Sequence, residues 1–398
     1  MHILFISDVV TEGGAAKALT ELCEEFVKSG RCECTVLTSQ RSAFNDNLES
    51  LGARTVVTKH GSFLVPRPNA KWKAPAKYLF EFARYIRGLF VSAAIAAETV
   101  DFSTVDVIHS NVPRNDLGIF LSRRYRIPHV VHLRECSFAH FNCWSFRSDP
   151  VGYLTRGADM FVAISESTAR YWIGLGIPND KVRTVHDGVR IPEDMGKGIP
   201  FFKDNKSTKL LFLGGYVPAK GVWDAVNAFR LLVDRHGETV TMDIYGGGSK
   251  EVRKKISRFV AENGLENALS LHGVVDDVWT LIPRFDIGMA CSSNEGFGRT
   301  VIEYSVCGVV PVVSDSGAFP ELVENGINGL VYAKAQSGFG LAEQLSKLLD
   351  DPALRTKLSR SARENGGRFS SEESANAVQG VYDDLLRCQG TPARNHGA

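Results

Sequence analysis

Apolar and polar positions alternate along this chain in blocks, and the blocks alternate in period. His2-Ile3-Leu4-Phe5-Ile6 is an unbroken apolar run that stops at Ser7-Asp8, and a helix-period pattern over 15–28 follows it. A short continuous run of this kind is what a strand buried on both faces carries. The same sequence of events predicts further strands at 34–38, 54–58, 105–109, 129–132, 160–164 and 182–186, with helices between them, notably over 76–98 and 165–175. Periodicity then lapses over 191–208, where Pro192, Gly196, Gly198 and Pro200 stand among several charges, so this stretch reads as a linker. A second series starts at Leu210-Leu211-Phe212-Leu213-Gly214 and predicts strands at 241–245, 269–272, 286–290, 309–313 and 330–332. Its helices are expected at 221–235, 250–263, 298–307, 338–349 and 354–365, with a last one over 372–387.

Strands alternating with helices imply a parallel sheet covered on both faces. The fold class expected is therefore α/β with two Rossmann-like domains, 1–190 and 209–371, followed by a helix over 372–388 and a tail over 389–398. Ligands of such sheets sit at the carboxyl ends of the strands. Two such sheets facing each other would form a cleft between domains.

Composition agrees with two cores. The chain has 398 residues, 44% of them hydrophobic and 23% charged, the balance of a globular protein with enough apolar material for two domains. A net charge of +1 gives no general attraction to nucleic acid, and no nucleic-acid-binding motif is present. The start of the chain lacks the basic and apolar regions of a secretory signal, and no run of 18 apolar residues suggests a membrane span, so a cytoplasmic location is expected. The eight cysteines have no metal-ligand spacing and read as reduced thiols.

Candidate chemistry concentrates between Ser292 and Glu303. A predicted strand runs into a loop containing Gly296 and Gly298, and the loop opens a helix. The first turn of that helix is an anion site by virtue of its free N–H groups and dipole. Glu295 lies before the turn, and Glu303 lies about 7 Å along the helix axis beyond it. A nucleoside diphosphate sugar suits this pattern, with the diphosphate at the helix start and carboxylates accepting hydroxyl hydrogens on either side. On spacing alone, a solvated loop glutamate and a surface helix glutamate account for the pair equally well.

The surrounding motifs extend the pattern. They are Glu-Gly-Phe-Gly-x4-Glu at 295–303, Cys307-Gly308-Val309-Val310-Pro311-Val312-Val313, Gly317-x2-Pro320-Glu321-Leu322-Val323, and Asn325-Gly326-x-Asn328-Gly329-Leu330. Upstream stand Gly214-x3-Pro218-x-Lys220-Gly221 and Tyr245-Gly246-Gly247-Gly248, and more loosely Gly13-Gly14, His132, Ser165 and Asp187-Gly188-Val189. In order and spacing the chain resembles glycosyltransferase family 4, whose fold is GT-B and whose members are retaining. The resemblance implies that Glu303 binds the donor ribose, that Glu295 contacts the transferred sugar, and that Lys220 neutralises the departing diphosphate. It assigns donor contacts to Gly13, Gly14, Gly214, Gly296, Phe297, Gly298, Arg299 and Thr300. It places His132 beside the reaction centre, with Arg134 and Glu135 one step further toward the acceptor. It also implies a last helix that crosses back to the N-terminal domain, no metal and no cofactor beyond the nucleotide-sugar co-substrate, and front-face transfer of a hexose-type sugar. UDP is the commonest donor nucleotide in the family. The acceptor class is a glycan, a glycolipid or lipid-linked sugar, or a small molecule.

One position departs from the family pattern. An arginine usually follows the glycine at the end of the first C-domain strand, and here Gly215 and Tyr216 follow Gly214. That keeps a catalytically weak or inactive nucleotide-sugar or glycan binder in view. A nicotinamide-dependent oxidoreductase is the other alternative, against which stands the lack of G-x-G-x-x-G after the first strand. A second unusual stretch is 59–90, with seven Lys or Arg against Glu81 and many aromatics. Leu79, Phe82, Ala83, Ile86 and Phe90 follow helical spacing there. That row either packs on the domain or, with its basic neighbours, lies on the inner face of an anionic membrane.

Overall fold

The structure is a computed structural model, and it describes residues 1–8, 13–67, 74–136, 143–193, 195 and 207–388. Most of the expected linker and the expected tail lie outside the described residues, as do Thr11 and Glu12 ahead of the Gly13-Gly14 pair. The chain divides into two compact units, Met1–Gly188 together with the residues from Ser371 on, and Val189–Ser370.

The strands are β1 (His2–Ser7), β2 (Glu33–Thr38), β3 (Arg54–Val57), β4 (Leu64–Pro66), β5 (Val107–Ser110), β6 (His129–Leu133), β7 (Cys143–Ser145), β8 (Met160–Ala163) and β9 (Val182–Thr184) in the first unit. The second unit holds β10 (Thr208–Phe212), β11 (Val240–Ile244), β12 (Leu269–Leu271), β13 (Ile287–Ala290), β14 (Val310–Ser314) and β15 (Leu330–Tyr332). Every residue of β1, β5, β6 and β14 is buried, so none of them shows the apolar–polar alternation of a half-exposed strand.

Among the described residues the first unit has a parallel sheet in the order β3-β2-β1-β5-β6-β8-β9, and the second has one in the order β12-β11-β10-β13-β14-β15. Counted along each sheet, both begin in the doubly wound order 3-2-1-4-5-6. The chain therefore reverses direction between β1 and β5 in one unit and between β10 and β13 in the other, and these reversals are where such sheets hold ligands. An antiparallel pair, β4 with β7, was not foreseen from the sequence. Neither were the single turns Val278–Leu281 and Phe319–Leu322.

The helix Ser371–Cys388 belongs to the first unit. Its Ala375, Val378, Tyr382 and Leu385 recur at three- and four-residue spacing and join Leu19, Leu22 and Phe26 of the helix Gly14–Lys28 in one buried cluster. The Ser371 hydroxyl donates to Glu25 Oε1 at 2.7 Å at the start of the same contact.

The helix Ala74–Thr99 bears on the two readings of its apolar row. Its packing side is Tyr85, Leu89, Ser92, Ala93 and Ala96. Of the row Leu79, Phe82, Ala83, Ile86 and Phe90, all but Phe82 are offset from that side by about 100° around the axis. Leu79 and Phe80 are each 67% exposed and Phe90 is 59% exposed, so most of the predicted row faces outward instead of into the domain. Tyr78, Phe82 and Tyr85 pack on Phe146 with ring centroids 5.2, 5.3 and 5.2 Å apart. Among the described residues, no helix is long and apolar enough to cross a membrane.

Candidate functional site

Two loops meet where the second sheet reverses. One leaves β10 at Gly214 and enters the helix Val222–His236 through Gly221, and the other leaves β13 and enters the helix Arg299–Val306 through Gly298. The backbone N–H of Ser293 donates to the Ala219 carbonyl at 3.2 Å, joining them. Lys220 Nζ lies 2.8 Å from Glu295 Oε2, and the Ser292 hydroxyl donates to the same oxygen at 2.8 Å. The positive ends of two helix dipoles and an ammonium group thus converge on one crevice. The Lys220 side chain is 46% exposed and Glu295 18%, so a ligand can reach both.

The supports of this crevice are tied together by side-chain hydrogen bonds. Lys334 Nζ bonds Asp224 Oδ2 at 2.6 Å and the Cys291 carbonyl at 2.7 Å, and the Ser337 and Tyr332 hydroxyls donate to the same carboxylate. That network fixes the start of the 291–298 loop against the first turn of the helix Val222–His236. The buried Tyr304 hydroxyl accepts from the Leu213 N–H at 3.0 Å and so ties the second helix to the end of β10. The Ser314 hydroxyl donates to the Ser292 carbonyl at 2.7 Å. Gly298 caps its helix at φ 108°, and a β-carbon there would fall 2.9 Å from the Phe319 ring, so only glycine fits. Glu303 is half-buried on the helix that Gly298 opens.

Gly215 gives the departure from the family pattern a physical cause. Its φ is +60°, and a β-carbon would lie 2.2 Å from the Gly247 carbonyl oxygen. The loop is laced to its neighbour there, Gly215 N–H to Tyr245 O at 2.9 Å and Tyr216 N–H to Gly247 O at 2.7 Å. Tyr216 is buried, and its hydroxyl donates to the His272 carbonyl at 2.6 Å. An arginine at 215 is thus excluded by this backbone, and Lys220 is the cation this loop presents.

In the first unit the reversal lies between β1 and β5, and the residues following these strands and β6 form a buried polar network. Arg134 Nε donates to Asn111 Oδ1 at 2.7 Å, and its Nη1 pairs with Asp187 Oδ1. Asn111 Nδ2 in turn donates to the Ala15 carbonyl at 3.2 Å, in the first turn behind Gly13 and Gly14. His132 Nδ1 lies 3.1 Å from His109 Nε2 and 3.3 Å from Arg134 Nη2. Burial, then the Arg134 charge, holds His132 well below the usual imidazole range, and the same two causes act on His109. Both rings are therefore neutral near pH 7. A small cavity is lined by His132, Arg134, Asp187 and Gly188 together with Ser371 and Ser374 of the last helix. His132 Nε2 is buried with no hydrogen-bond partner among the described residues, a state that costs about 1–3 kcal/mol. Gly13 has no atom within 4 Å of where a β-carbon would stand, and its φ is −101°, so the packing of the described residues does not demand glycine there.

Comparison with known proteins meets this geometry from outside. The model for "Glycosyl transferases group 1" matches residues 200–365, and that for "Glycosyl transferase 4-like domain" matches 13–188, so that between them they take in most of the chain. The chain belongs to glycosyltransferase family 4. An uncharacterised glycosyltransferase of Methanocaldococcus jannaschii is 24% identical over 76% of this chain and 82% of its own length. A Campylobacter jejuni enzyme named N,N'-diacetylbacillosaminyl-diphospho-undecaprenol alpha-1,3-N-acetylgalactosaminyltransferase is also 24% identical, over 78% of this chain and 86% of its own. Among solved structures, Anabaena HepE in complex with UDP superposes with a TM-score of 0.75 at 21% identity, covering 96% of this chain and all of that one. Sucrose-phosphate synthase of Thermosynechococcus elongatus does so at 0.71 and 18%, covering 97% and 99%. The fold of this family 4 glycosyltransferase is accordingly GT-B.

Within the family 4 chain, the structure brings Lys220, Glu295 and the loop through Gly296, Phe297 and Gly298 together with Arg299 and Thr300 at one helix start. Gly214 begins the partner loop and packs on the Phe212 ring. In the first unit it gathers His132 and Arg134. Glu135 is set apart from them, its carboxylate 3.6 Å from Arg114 and its carbonyl accepting from Trp172 Nε1 at 3.0 Å. Sequence reasoning missed Asp224, Lys334, Asn111, His109 and Tyr382. Asp187 had been noted only as part of a motif. Its neighbour Gly188 and its place after a predicted strand were the available signal.

Proposed function

We propose that this glycosyltransferase moves a hexose-type sugar from UDP to a hydroxyl group of a glycan, a lipid-linked sugar or a small-molecule acceptor, with retention at the anomeric carbon. The observation that carries the reading is the convergence of two helix N-termini on the Lys220–Glu295 pair at the sheet reversal of the second unit. A diphosphate is the ligand whose charge that arrangement complements. Glu303 then accepts the ribose hydroxyls, Glu295 a sugar hydroxyl, and the 296–300 loop the phosphate and sugar oxygens. In the first unit, Gly13, Gly14 and His132 contribute ligand contacts. Arg134 acts by ordering His132 and Asp187, and Glu135 is assigned to the acceptor. The UDP and UDP-glucose bound to HepE, and the lipid-linked acceptor in the Campylobacter enzyme's name, support the donor and acceptor classes.

Chemically, the acceptor oxygen bonds to the anomeric carbon on the face from which the diphosphate departs. The bond from that carbon to the phosphate oxygen breaks, and the departing oxygen takes the acceptor proton. The protein's share is positioning and charge: Lys220 and the two helix dipoles stabilise the leaving group, in a site where fixed dipoles act without reorganising. Titration with UDP, GDP and ADP tests the nucleotide, and NMR of the product anomer tests retention. A preference for GDP or ADP, or an inverted product, refutes the corresponding part.

We further propose that the outward row of the helix Ala74–Thr99 rests on an anionic membrane surface. Leu79, Phe80, Phe82 and Phe90 are exposed beside Arg84 and Arg87, while Glu81, the one acid in the 59–90 stretch, is paired with Arg84. The charge complements acidic headgroups and the apolar row their acyl boundary. Flotation with vesicles rich in acidic phospholipid is expected to carry the protein upward at moderate salt. Phe80→Glu with Phe90→Glu should abolish this, and failure of the wild type to float removes the proposal.

A further inference from the structure

The buried hydrogen bonds of the first unit fix which ring nitrogen of His132 carries its proton. A guanidinium can only donate. Arg134 Nη2 lies 3.3 Å from His132 Nδ1, so that nitrogen must be the acceptor. His109 Nε2, 3.1 Å from the same Nδ1, must then donate as well, which leaves the His109 proton on Nε2. His109 Nδ1 is consequently an acceptor, and the Tyr382 hydroxyl stands 2.5 Å from it to donate. The direction of donation runs from Tyr382 through His109 to His132. With Nδ1 unprotonated and the ring neutral, the His132 proton sits on Nε2. That atom is buried and has no partner among the described residues, and Asp187 Oδ1, at 4.0 Å, is too far for a hydrogen bond.

We infer that Tyr382 and His109 are positioning residues that hold His132 as a neutral Nε2–H donor, ready to donate to an oxygen of the bound ligand. The inference rests on the proposed transfer reaction for its ligand, but the tautomer itself does not depend on that reaction. It assigns the last helix a chemical role beyond packing, because Tyr382 is carried by Ser371–Cys388. It also removes His132 as a general base in the resting enzyme: its one in-plane lone pair, on Nδ1, already accepts from His109 and Arg134. This agrees with a mechanism in which the departing phosphate takes the acceptor proton.

Two measurements test it. In the intact ligand-free protein, nitrogen-15 NMR of labelled histidine should report His132 protonated at Nε2 and unprotonated at Nδ1, and the opposite tautomer overturns the inference whether or not any donor turns over. In Tyr382→Phe, His109 Nδ1 loses its donor, so the His109 nitrogen signals should shift toward a tautomer mixture and donor turnover should fall by about 10-fold in kcat at little change in KM, since one orienting hydrogen bond is lost. Unchanged signals overturn it. A further pair removes any ambiguity from misfolding. His109→Gln keeps an amide donor for His132 Nδ1 and should retain at least several-fold more activity than His109→Leu, which keeps none. Equal activities of these two variants, both folded, would also overturn the inference.

Discussion

Lys220→Ala will lose about 10²–10³-fold in kcat for release of UDP from its sugar donor while melting at nearly the wild-type temperature. The two halves of this expectation have separate causes. The Lys220–Glu295 pair is half-exposed on the lysine side, and exposed pairs contribute at most about 1 kcal/mol to stability. The same ammonium stands between two helix starts, where in the proposed reaction a departing diphosphate gains negative charge, and its worth there would be that of a preorganised donor lost from a transition state. Gly215 raises the stake, because its backbone excludes the arginine that the family pattern leads one to expect at that position. Donor hydrolysis can be followed without knowing the acceptor. An effect confined to KM would mean that Lys220 binds ground state and transition state alike, and an unchanged kcat would contradict its assignment.

Acid will destabilise the first unit steeply. His60, His109, His129 and His132 are buried there, and burial is the leading cause holding each below the ordinary imidazole value, His129 at about 4. The unfolded chain binds a proton at each of these positions below about pH 6.5, whereas the folded chain does not. Stability from these groups is thus fully present above that value and is lost as pH falls toward the folded values. Each group contributes a slope of up to about 1.4 kcal/mol per pH unit within its window. Thermal melts should be nearly level from pH 8 to 7 and fall sharply between 6.5 and 4.5. A midpoint that stays constant down to pH 5 would contradict the neutral, buried state of these rings.

Much of the fold was legible because its strands are buried on both faces. β1, β6 and β14 announce themselves as apolar runs, and nothing in their surroundings competes with that reading. Strand order was not legible, since β1 pairs with both β2 and β5 across long stretches of chain, and it is the order that locates both ligand crevices. The helix Ala74–Thr99 showed its period in the sequence but not which of its faces packs. Beside Tyr85 and Leu89 its packing face uses Ser92, Ala93 and Ala96, which carry little apolar signal, whereas Leu79, Phe80 and Phe90 point outward. The site divides the same way. Glu295, Gly298 and Lys220 lie in compact motifs, each near a predicted helix start. His132 is held by His109 of β5 and by Arg134 just after β6, and Tyr382 lies 273 residues from His109, the histidine it bonds. No local pattern could have joined them.

The central claim is that the loop from Glu295 to Glu303 holds a nucleoside diphosphate sugar. The most direct measurement is calorimetric titration of wild-type protein and Glu303→Ala with UDP. Saturable binding of UDP to the wild type, weakened at least 10-fold in a folded Glu303→Ala variant, is the expected result. Equal affinity in the two proteins, or no binding of UDP to the wild type, would contradict the account.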